Sequence, residues 1–327
     1  MSATASQQGG GAAAAAARAG LRGHLAMLVF SALVAGSFSL GSMAAGHIAP
    51  TALNAVRFAV AAVIVGIAAL ATTGLPRAAF AAPWRYLLLG GTFATYFVLM
   101  FEGLKTAAPV SAAAVFTLTP VMTAVAGYVL VRQVATPRIA LGLAVGAAGA
   151  LWVIFRADWQ AVMAFRVGPG EAIYAWGCAA HAIYTPLVRK LNRGEPAVVF
   201  TFGTLVAACI AVTAWGWRDI AATDWAALPP VVWVTIAYVS VFASAMTFVL
   251  LQYASLRLPS SKVMAYTYLT PTWVIALELV LGHEVPDADL NKLILRGADR
   301  VYVVDDPALA RFLVEPYAGA LEHLIER

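Results

Sequence analysis

The chain has 327 residues, of which 62% are hydrophobic and 11% are charged, and its mean hydropathy is +0.82. A soluble domain carries about a quarter charged residues, so this composition excludes a water-soluble globular protein and indicates a surface that faces lipid. The net charge of +5 does not indicate nucleic-acid binding, because the basic residues lie in short gaps between apolar runs and form no aromatic-interleaved patch.

The N-terminal residues 1–24 are small and low in complexity, which predicts a disordered tail. Arg18 and Arg22 precede an apolar stretch, as in a signal peptide, but this stretch is about 20 residues long and more follow, which favours a first membrane helix. Unbroken apolar runs favour helices over a barrel. The nine predicted spans are 25–45, 51–72, 84–103, 107–131, 138–155, 171–188, 197–215, 230–252 and 261–282.

The loop charges predict the orientation of these spans. With the N-terminus in the cytoplasm, eleven Arg and Lys residues of the tail and loops lie inside and four lie outside. The sequence therefore predicts a multi-pass membrane protein with a cytoplasmic N-terminus.

An internal repeat follows from two segments at a constant offset of 151 residues. The segment from Phe101-Glu102-Gly103-Leu104 to Leu118-Thr119-Pro120 aligns with the segment from Gln252-Tyr253-Ala254-Ser255 to Leu269-Thr270-Pro271. Five spans in each full half would give the halves opposite orientations. Inverted repeats of this kind are typical of secondary transporters, whose substrate path lies between the halves.

These residues resemble the EamA-type members of the drug/metabolite transporter superfamily. The resemblance covers about residues 25–285 and rests on Val56-Arg57-Phe58, on both copies of the repeat and on the ending Leu281 to Glu284. It implies an all-α integral membrane fold of ten helices in two inverted halves. Together with the high alanine content, it also implies a bacterial inner membrane. On this basis we expect five spans in the first repeat (25–155) and four in the second (171–282).

The last segment, residues 283–327, departs from that pattern, because it holds 14 of the 37 charges and no apolar run for a tenth helix. Its sequence predicts a soluble strand and helix. Residues 289–327 resemble a fragment of the electron-transfer flavoprotein alpha subunit, without that family's FAD-binding part, so no flavin function is expected. A chimeric chain is one hypothesis, arising by gene fusion, frameshift or assembly error.

Charged, proline and aromatic residues within the spans are the candidates for a substrate path, since a charge in hydrocarbon costs about 2.5–3.5 kcal/mol. Arg57 is expected to pair with Glu102 or Glu278, either to fix helix packing or to serve transport. Pro120 and Pro271 predict kinks near mid-membrane. The remaining candidates, each equally explicable by packing or interfacial anchoring, are Tyr96, Phe116, Trp176, His181, Tyr184, Tyr266, Tyr268 and Trp273.

The sequence favours a secondary transporter that exports small metabolites or amino acids by alternating access. The alternative is a truncated or chimeric product without transport activity. No metal-ligand spacing, phosphate loop or nucleophile motif occurs, so no catalytic residue, metal site or cofactor is predicted. The expected partners are the lipid bilayer and a small-molecule substrate, with a homodimer left open and no nucleic acid.

Overall fold

Every regular element that the computed structural model describes is helical. The description covers the backbone of residues 2–154 and 167–282, and the side-chain surroundings of residues 19–149 and 167–282. The helices are α1 (Ser2–Ala45), α2 (Pro50–Thr72), α3 (Trp84–Gly103), α4 (Pro109–Phe116), α5 (Thr119–Val131), α6 (Pro137–Ile154), α7 (Pro169–Leu191), α8 (Ala197–Ala222), α9 (Pro230–Ser240), α10 (Thr247–Ser255), α11 (Ser260–Ala265) and α12 (Thr270–Val280). Three short elements interrupt them: the 3₁₀ turns Arg77–Phe80 and Tyr266–Leu269 and the π-helical segment Val241–Met246.

Seven helical stretches of the described chain are long and apolar enough to cross a bilayer. They are Ala19–Ala45, Pro50–Thr72, Trp84–Gly103, Pro109–Val131, Ala197–Ala222, Pro230–Ser255 and Ser260–Val280. Helices also occupy the fifth and sixth predicted spans, but α6 contributes only the shorter apolar stretch Pro137–Gly149. Helix α7 carries Glu171 in its first turn and Arg189 and Lys190 in its last. Those charges complement the helix dipole at each end and lower the hydropathy of α7.

The N-terminal tail differs from the expectation of disorder over residues 1–24, because α1 extends back to Ser2. Alanine has the highest intrinsic helix propensity. The run Ala12–Ala17 adjoins a membrane helix, so it can lengthen that helix without forming a new nucleus. The predicted strand and helix of residues 283–327 lie outside the described residues.

The sequence repeat recurs in the helix boundaries. Helix α4 begins at Pro109 and α11 at Ser260, while α5 begins at Thr119 and α12 at Thr270, so both pairs are separated by the offset of 151 seen in the sequence. Each half therefore builds its fourth span from two short helices that meet at a break.

Pro120 and Pro271 lie in the first turn of α5 and α12. A proline is tolerated there because the first turn of a helix has no internal partner for its N–H groups. The sequence predicted kinks in continuous helices, and the structure instead starts a new helix at each proline. The carbonyl groups of Phe116 and Thr267, four residues earlier, consequently receive no backbone hydrogen bond from the prolines.

The two halves pack in a reciprocal pattern. Helix α3 packs on α7 and α8, and the corresponding α9–α10 span packs on α1 and α2. Helices α4 and α5 pack on α7, and the corresponding α11–α12 span packs on α1. Helix α2 packs on its counterpart α8. Exchanging the halves leaves this pattern unchanged, as two copies of one unit around a pseudo-two-fold axis require.

Loops gather at two ends of the bundle. The end called here the Arg85 end contains the turns 73–83, 132–136, 192–196 and 256–259, and the opposite Glu171 end contains the turns 46–49, 104–108 and 223–229. Hydrogen bonds between Arg85 and the Leu191 carbonyl and between Ser260 and Gln133 join turns at the Arg85 end. Each end therefore brings both halves together.

Gly90 permits the closest approach between α3 and α8. A methyl group built at Gly90 would overlap the backbone nitrogen of Ala208 and lie 2.7 Å from the Ala207 carbonyl carbon. The neighbouring Gly91 faces open space, with nothing within 4 Å of such a methyl group. Gly90 is therefore in close contact with the backbone of α8, whereas the adjacent Gly91 has space for a side chain.

We expect Gly90→Ala to destabilise the protein by about 1–3 kcal/mol, because backbone atoms of α8 must move apart to admit the methyl group. Gly91→Ala should be neutral or stabilising by up to about 1 kcal/mol, since alanine favours the helix. Thermal unfolding of the purified protein in detergent, followed by a thiol-reactive dye that reaches the buried Cys178 only on unfolding, measures both. Equal effects of the two changes would contradict this assignment of close packing.

Candidate functional site

A cluster of aromatic rings lies between the two halves. This central aromatic cluster consists of rings from α3 and α4 of the first half and from α7 and α10 of the second, and its members are Phe93, Tyr96, Phe97, Phe116, Tyr174, His181, Tyr184 and Phe248. Phe93 packs across the interface against Tyr184, at a centroid distance of 4.1 Å, and against Phe248, at 4.2 Å. The cluster adjoins the break between α4 and α5, because Phe116 is the last residue of α4.

His181 is the polar centre of the cluster. Its ring stacks on Tyr96 at 4.4 Å and 18° and on Phe116 at 5.6 Å and 16°, and Phe93 meets it edge-on at 5.3 Å. The side chain is buried, yet neither ring nitrogen has a hydrogen-bond partner in the described chain. Buried polar atoms without partners cost about 1–3 kcal/mol each, so this imidazole is not explained by packing alone.

Other polar groups of the cluster are partly satisfied. The hydroxyl groups of Tyr96 and Tyr174 lie 3.0 Å apart and form a hydrogen bond. Gln252 of α10 donates from Nε2 to the Tyr184 hydroxyl at 3.0 Å, while its Oε1 has no partner within the described residues. The unpartnered nitrogens of His181 and the unpartnered Oε1 of Gln252 both belong to the second half.

Arg57 of α2 borders the cluster. Its guanidinium group lies 3.7 Å from the centroid of Phe97, a cation–π contact, and is fully buried. Nε donates to the Ser244 hydroxyl and Nη2 donates to the Ala243 carbonyl at 2.6 Å. Both acceptors belong to the π-helical segment Val241–Met246, and such single π turns occur frequently at functional sites.

A cavity of about 170 Å³ opens at the Arg85 end. Helix α5, the following turn and the start of α11 line it, with Thr123, Gly127, Gln133, Ser261 and Lys262 among the lining residues. Thr123 is buried, and its hydroxyl has no partner in the described part of the chain. The cavity thus leads from the bundle end to the buried face of α5, the helix that begins at the break.

Polar contacts join the halves at the Glu171 end. Ser111 donates to Glu171 at 2.7 Å, and Thr51 donates to Asp219 at 2.6 Å. Near the first contact, the α3 and α7 backbones meet at glycine, since a methyl group at Gly103 would lie 2.6 Å from the Gly170 carbonyl oxygen.

A buried ion pair joins the halves at the Arg85 end. Arg85 Nη2 lies 2.7 Å from Glu195 Oε1, and both side chains are nearly inaccessible to solvent. Arg85 also donates to the carbonyl groups of Ala79, Ala82 and Leu191, so its guanidinium is extensively satisfied. This contact lies beside α2 and α3, and the cavity lies on the other side of the same end, beside α5 and α11.

Five predicted site residues lie at or beside the central cluster. Four of them are members of the cluster, and Arg57 borders it: Arg57, Tyr96, Phe116, His181 and Tyr184. Pro120 lies at the start of the half-helix next to it, and Pro271 lies at the equivalent position of the second half. The expected partnership of Arg57 with Glu102 is wrong, because Glu102 instead pairs with Lys105 at 2.7 Å on an exposed turn. Glu278 is buried on α12.

The remaining candidates lie away from the cluster. Trp176 is 75% exposed and faces outward. Tyr266 is hydrogen-bonded to His24 at 3.0 Å, and Trp273 donates to Ser31 at 3.2 Å, so both tie the ninth span to α1. Tyr268 donates to the Leu143 carbonyl at 3.2 Å and ties it to α6. Packing accounts for these contacts.

The sequence reasoning missed several cluster members. Spacing provided a usable signal for Phe93 and Phe97, which lie four residues apart, and for Tyr174, which lies seven before His181, since such spacings share a helix face. Gln252 was visible as a lone amide in an apolar run. The role of Ser244 had no signal, because it depends on the π-helical segment.

The fold and site define a multi-pass membrane transporter, because apolar helices in two reciprocal halves enclose a polar site at their interface. Residues 21–155 and 169–289 match the EamA-like transporter family. The chain belongs to that family.

Two relatives agree with this assignment. The chain is 24% identical over 265 residues to YyaM of Bacillus subtilis, which is described as an uncharacterized transporter, and the match covers 79% of this chain and 86% of that protein. A crystal structure with 22% sequence identity covers 84% of this chain and 91% of its own, with a TM-score of 0.61, and so shares the fold.

We expect Glu195→Gln to destabilise the protein by about 1.5–3 kcal/mol, the usual range for a hydrogen bond to a charged group. Partial burial alone would raise the pKa of Glu195, but hydrogen bonds from Arg85 and the Arg193 backbone outweigh it and lower the pKa below its usual value. The stabilisation is therefore complete above the unfolded pKa of about 4.3 and is lost as the pH falls through the lower folded pKa.

Thermal unfolding between pH 3 and pH 7 measures this effect, and Glu102→Gln is the matched control. Glu102 has the same 2.7 Å ion-pair distance but lies on the surface, where such pairs contribute about 0–1 kcal/mol. If both variants lose the same stability with the same pH dependence, the buried Arg85–Glu195 pair contributes no more to stability than the exposed Glu102–Lys105 pair, and the prediction is wrong.

Proposed function

We propose that the protein is a secondary transporter that exports small metabolites or amino acids across the cytoplasmic membrane by alternating access of its two halves. The observation that carries this proposal is the buried His181, whose two ring nitrogens are unfilled at the interface between the halves. A site whose polar atoms are satisfied only when a ligand is present favours binding of a polar organic molecule among aromatic rings.

The open cavity supports a path from one side of the membrane. The excess of Arg and Lys in the loops favours a cytoplasmic Arg85 end. In that orientation the cavity at Thr123 faces the cytoplasm, while the Ser111–Glu171 and Thr51–Asp219 contacts close the outer end. Such an arrangement is what an exporter adopts when it accepts substrate from the cell.

The reciprocal packing supports inverted halves with nine spans in this chain. Under this proposal, residues 25–155 cross five times and residues 171–282 cross four times. Export would then require the contacts at the Glu171 end to separate while the cavity at the Arg85 end closes, and glycine contacts would serve as the pivots.

The alternative is a truncated or chimeric product without activity. The family match ends at residue 289, within the charge-rich segment 283–327, and residues 289–327 resemble a flavoprotein fragment. Loss of a tenth helix would leave the second half incompletely packed. Under that hypothesis, the tail makes the protein unstable in the membrane.

An efflux experiment separates the two hypotheses. The full chain, the chain without residues 283–327, and an empty vector are expressed in bacteria, and metabolites released into the medium are compared by mass spectrometry. Release of specific compounds by the full chain supports transport. Rapid proteolysis of the full chain, rescued by replacing the tail with an apolar helix, supports the alternative and contradicts the proposal.

His181→Phe tests the central site. We expect transport to fall at least about tenfold, since a lost hydrogen bond to substrate costs about 1.4 kcal/mol or more. Phenylalanine should leave the melting temperature unchanged or raise it, because the ring is retained and the unfilled nitrogens are removed. Tyr268→Phe, which removes a hydroxyl that is bonded to the Leu143 carbonyl away from the cluster, is the control and should keep transport. Full transport by the His181 variant would exclude His181 from the substrate path.

A further inference from the structure

Among the residues that the structure describes, two arginines are fully buried, and they are satisfied to very different degrees. Arg85 has three carbonyl acceptors and the Glu195 carboxylate. Arg57 has the Ser244 hydroxyl and the Ala243 carbonyl, and its Nη1 has no partner within the described chain. No carboxylate of the described residues forms an ion pair with Arg57.

The missing counter-charge at Arg57 is energetically significant. Burial of an ion remains expensive unless an opposite charge and hydrogen bonds compensate for it. The ring of Phe97 at 3.7 Å gives a cation–π contact, which is worth about 2 kcal/mol in a desolvated site. The rings of Phe58 and Phe101 lie farther away, at 5.9 and 6.0 Å. Two hydrogen bonds and these ring contacts leave Nη1 without an acceptor.

The guanidinium group of Arg57 and the imidazole of His181 belong to one continuous layer of contacts. Phe97 lies under Arg57 and packs against Tyr96 at 4.5 Å, and Tyr96 in turn stacks on His181 at 4.4 Å. At one side of this layer the Nη1 group of Arg57 lacks an acceptor, and at the other side the ring nitrogens of His181 lack partners. Flat aromatic rings lie between them.

We infer that the central site binds small organic anions, with an oxyanion such as a carboxylate on Arg57, a flat apolar body against the rings of Phe93, Phe97 and Tyr96, and a hydrogen-bonding group at His181. This inference rests on the proposed transport function. A carboxylate supplies the two acceptors and the negative charge that Arg57 lacks, and arginine binds it through paired N–H donors.

The alternative is that Arg57 has a purely structural role and acts as a strut, which means that its hydrogen bonds hold the π-helical segment in place. A strut needs only the contacts to Ser244 and Ala243, which involve Nε and Nη2. The remaining Nη1 group and the charge have no role in that case. Ligand charge distinguishes the two roles, because a strut does not respond to it.

The test uses the purified full chain in detergent and three probes of nearly equal shape: benzoate, the neutral benzamide and the cationic benzylamine. Thermal unfolding is followed by dye labelling of Cys178, at matched ionic strength. We expect benzoate to raise the melting temperature by at least about 2 °C when it is in large excess over its Kd, while benzamide and benzylamine have no such effect. An equal shift with benzamide, or no shift with benzoate, overturns the inference without requiring any variant.

Variants then assign the effect to one side chain. Arg57→Gln should weaken benzoate binding by at least about tenfold, and Arg57→Lys should retain part of it, since a charge-assisted hydrogen bond is lost in the first case and replaced in the second. Arg77→Gln removes the same charge from an exposed position and should leave binding unchanged. Undiminished binding of benzoate by Arg57→Gln would overturn the assignment.

The efflux experiment keeps this inference separate from the transport proposal. Export of neutral or cationic compounds that persists in Arg57→Gln would refute the anion site and leave transport standing. Binding of benzoate through Arg57 by a chain that exports nothing would refute transport and leave the anion site standing.

Discussion

The absence of water from the bilayer interior is the constraint on which this structure depends. Every backbone and side-chain polar group there must find its partner in the protein, so irregular backbone is tolerated only where protein surrounds it. The chain breaks a helix at Thr117 and again at Tyr266–Leu269, and both breaks lie on the spans that pack between the halves. The prolines lie in the first turn of the following helices, where no backbone donor is needed, so they cause no further loss of hydrogen bonds from N–H groups.

The same constraint gives a reason to compare buried polar groups that have partners with those that lack them. At the ends of the bundle, the charged groups Arg85, Glu195 and Glu171 are paired across the halves, although the Ser255 and Ser260 hydroxyl groups have no partner in the described chain. In the middle, His181, Gln252 and Arg57 retain unfilled donors or acceptors, and they do so among tightly packed rings. A protein that only needed stability would replace such groups with apolar ones at little or no loss. Their persistence in one layer is the physical basis for placing the site there.

Much of the fold was predictable because its determinants are local or periodic. Apolar run length located the helices, and the offset of 151 residues between the repeats recurs in the starts of the half-helices α4 and α11 and of α5 and α12. The breaks were predicted only as kinks, since a proline in an apolar run is compatible with either outcome until packing selects one. The N-terminal helix was missed because low complexity was weighted above the helix propensity of alanine.

The site was less predictable, because it depends on contacts between distant segments. Residue type and position within an apolar span were enough to select Arg57, Tyr96, His181 and Tyr184 as candidates. The partners of Arg57 could not be predicted, because they lie more than 180 residues away in a π-helical segment with no sequence signature. Glu102 was misjudged for a related reason. A carboxylate at the end of a span satisfies itself locally when a lysine follows three residues later, and the Lys105 pair does so on the surface.

Under the proposed function, the closeness of the rings links occupancy of the site by a ligand to the arrangement of the halves. Phe93 belongs to the first half and lies 4.1 Å from Tyr184 and 4.2 Å from Phe248 of the second. A flat ligand inserted between two such rings needs about 3.5 Å of carbon–carbon separation on each face, which is more than these distances provide. Binding must therefore move α3 relative to α7 and α10. Since a ligand shifts a conformational equilibrium only through its different affinity for the two states, rings that cross the interface make ligand affinity depend on how far the halves have separated, and that dependence is what alternating access requires.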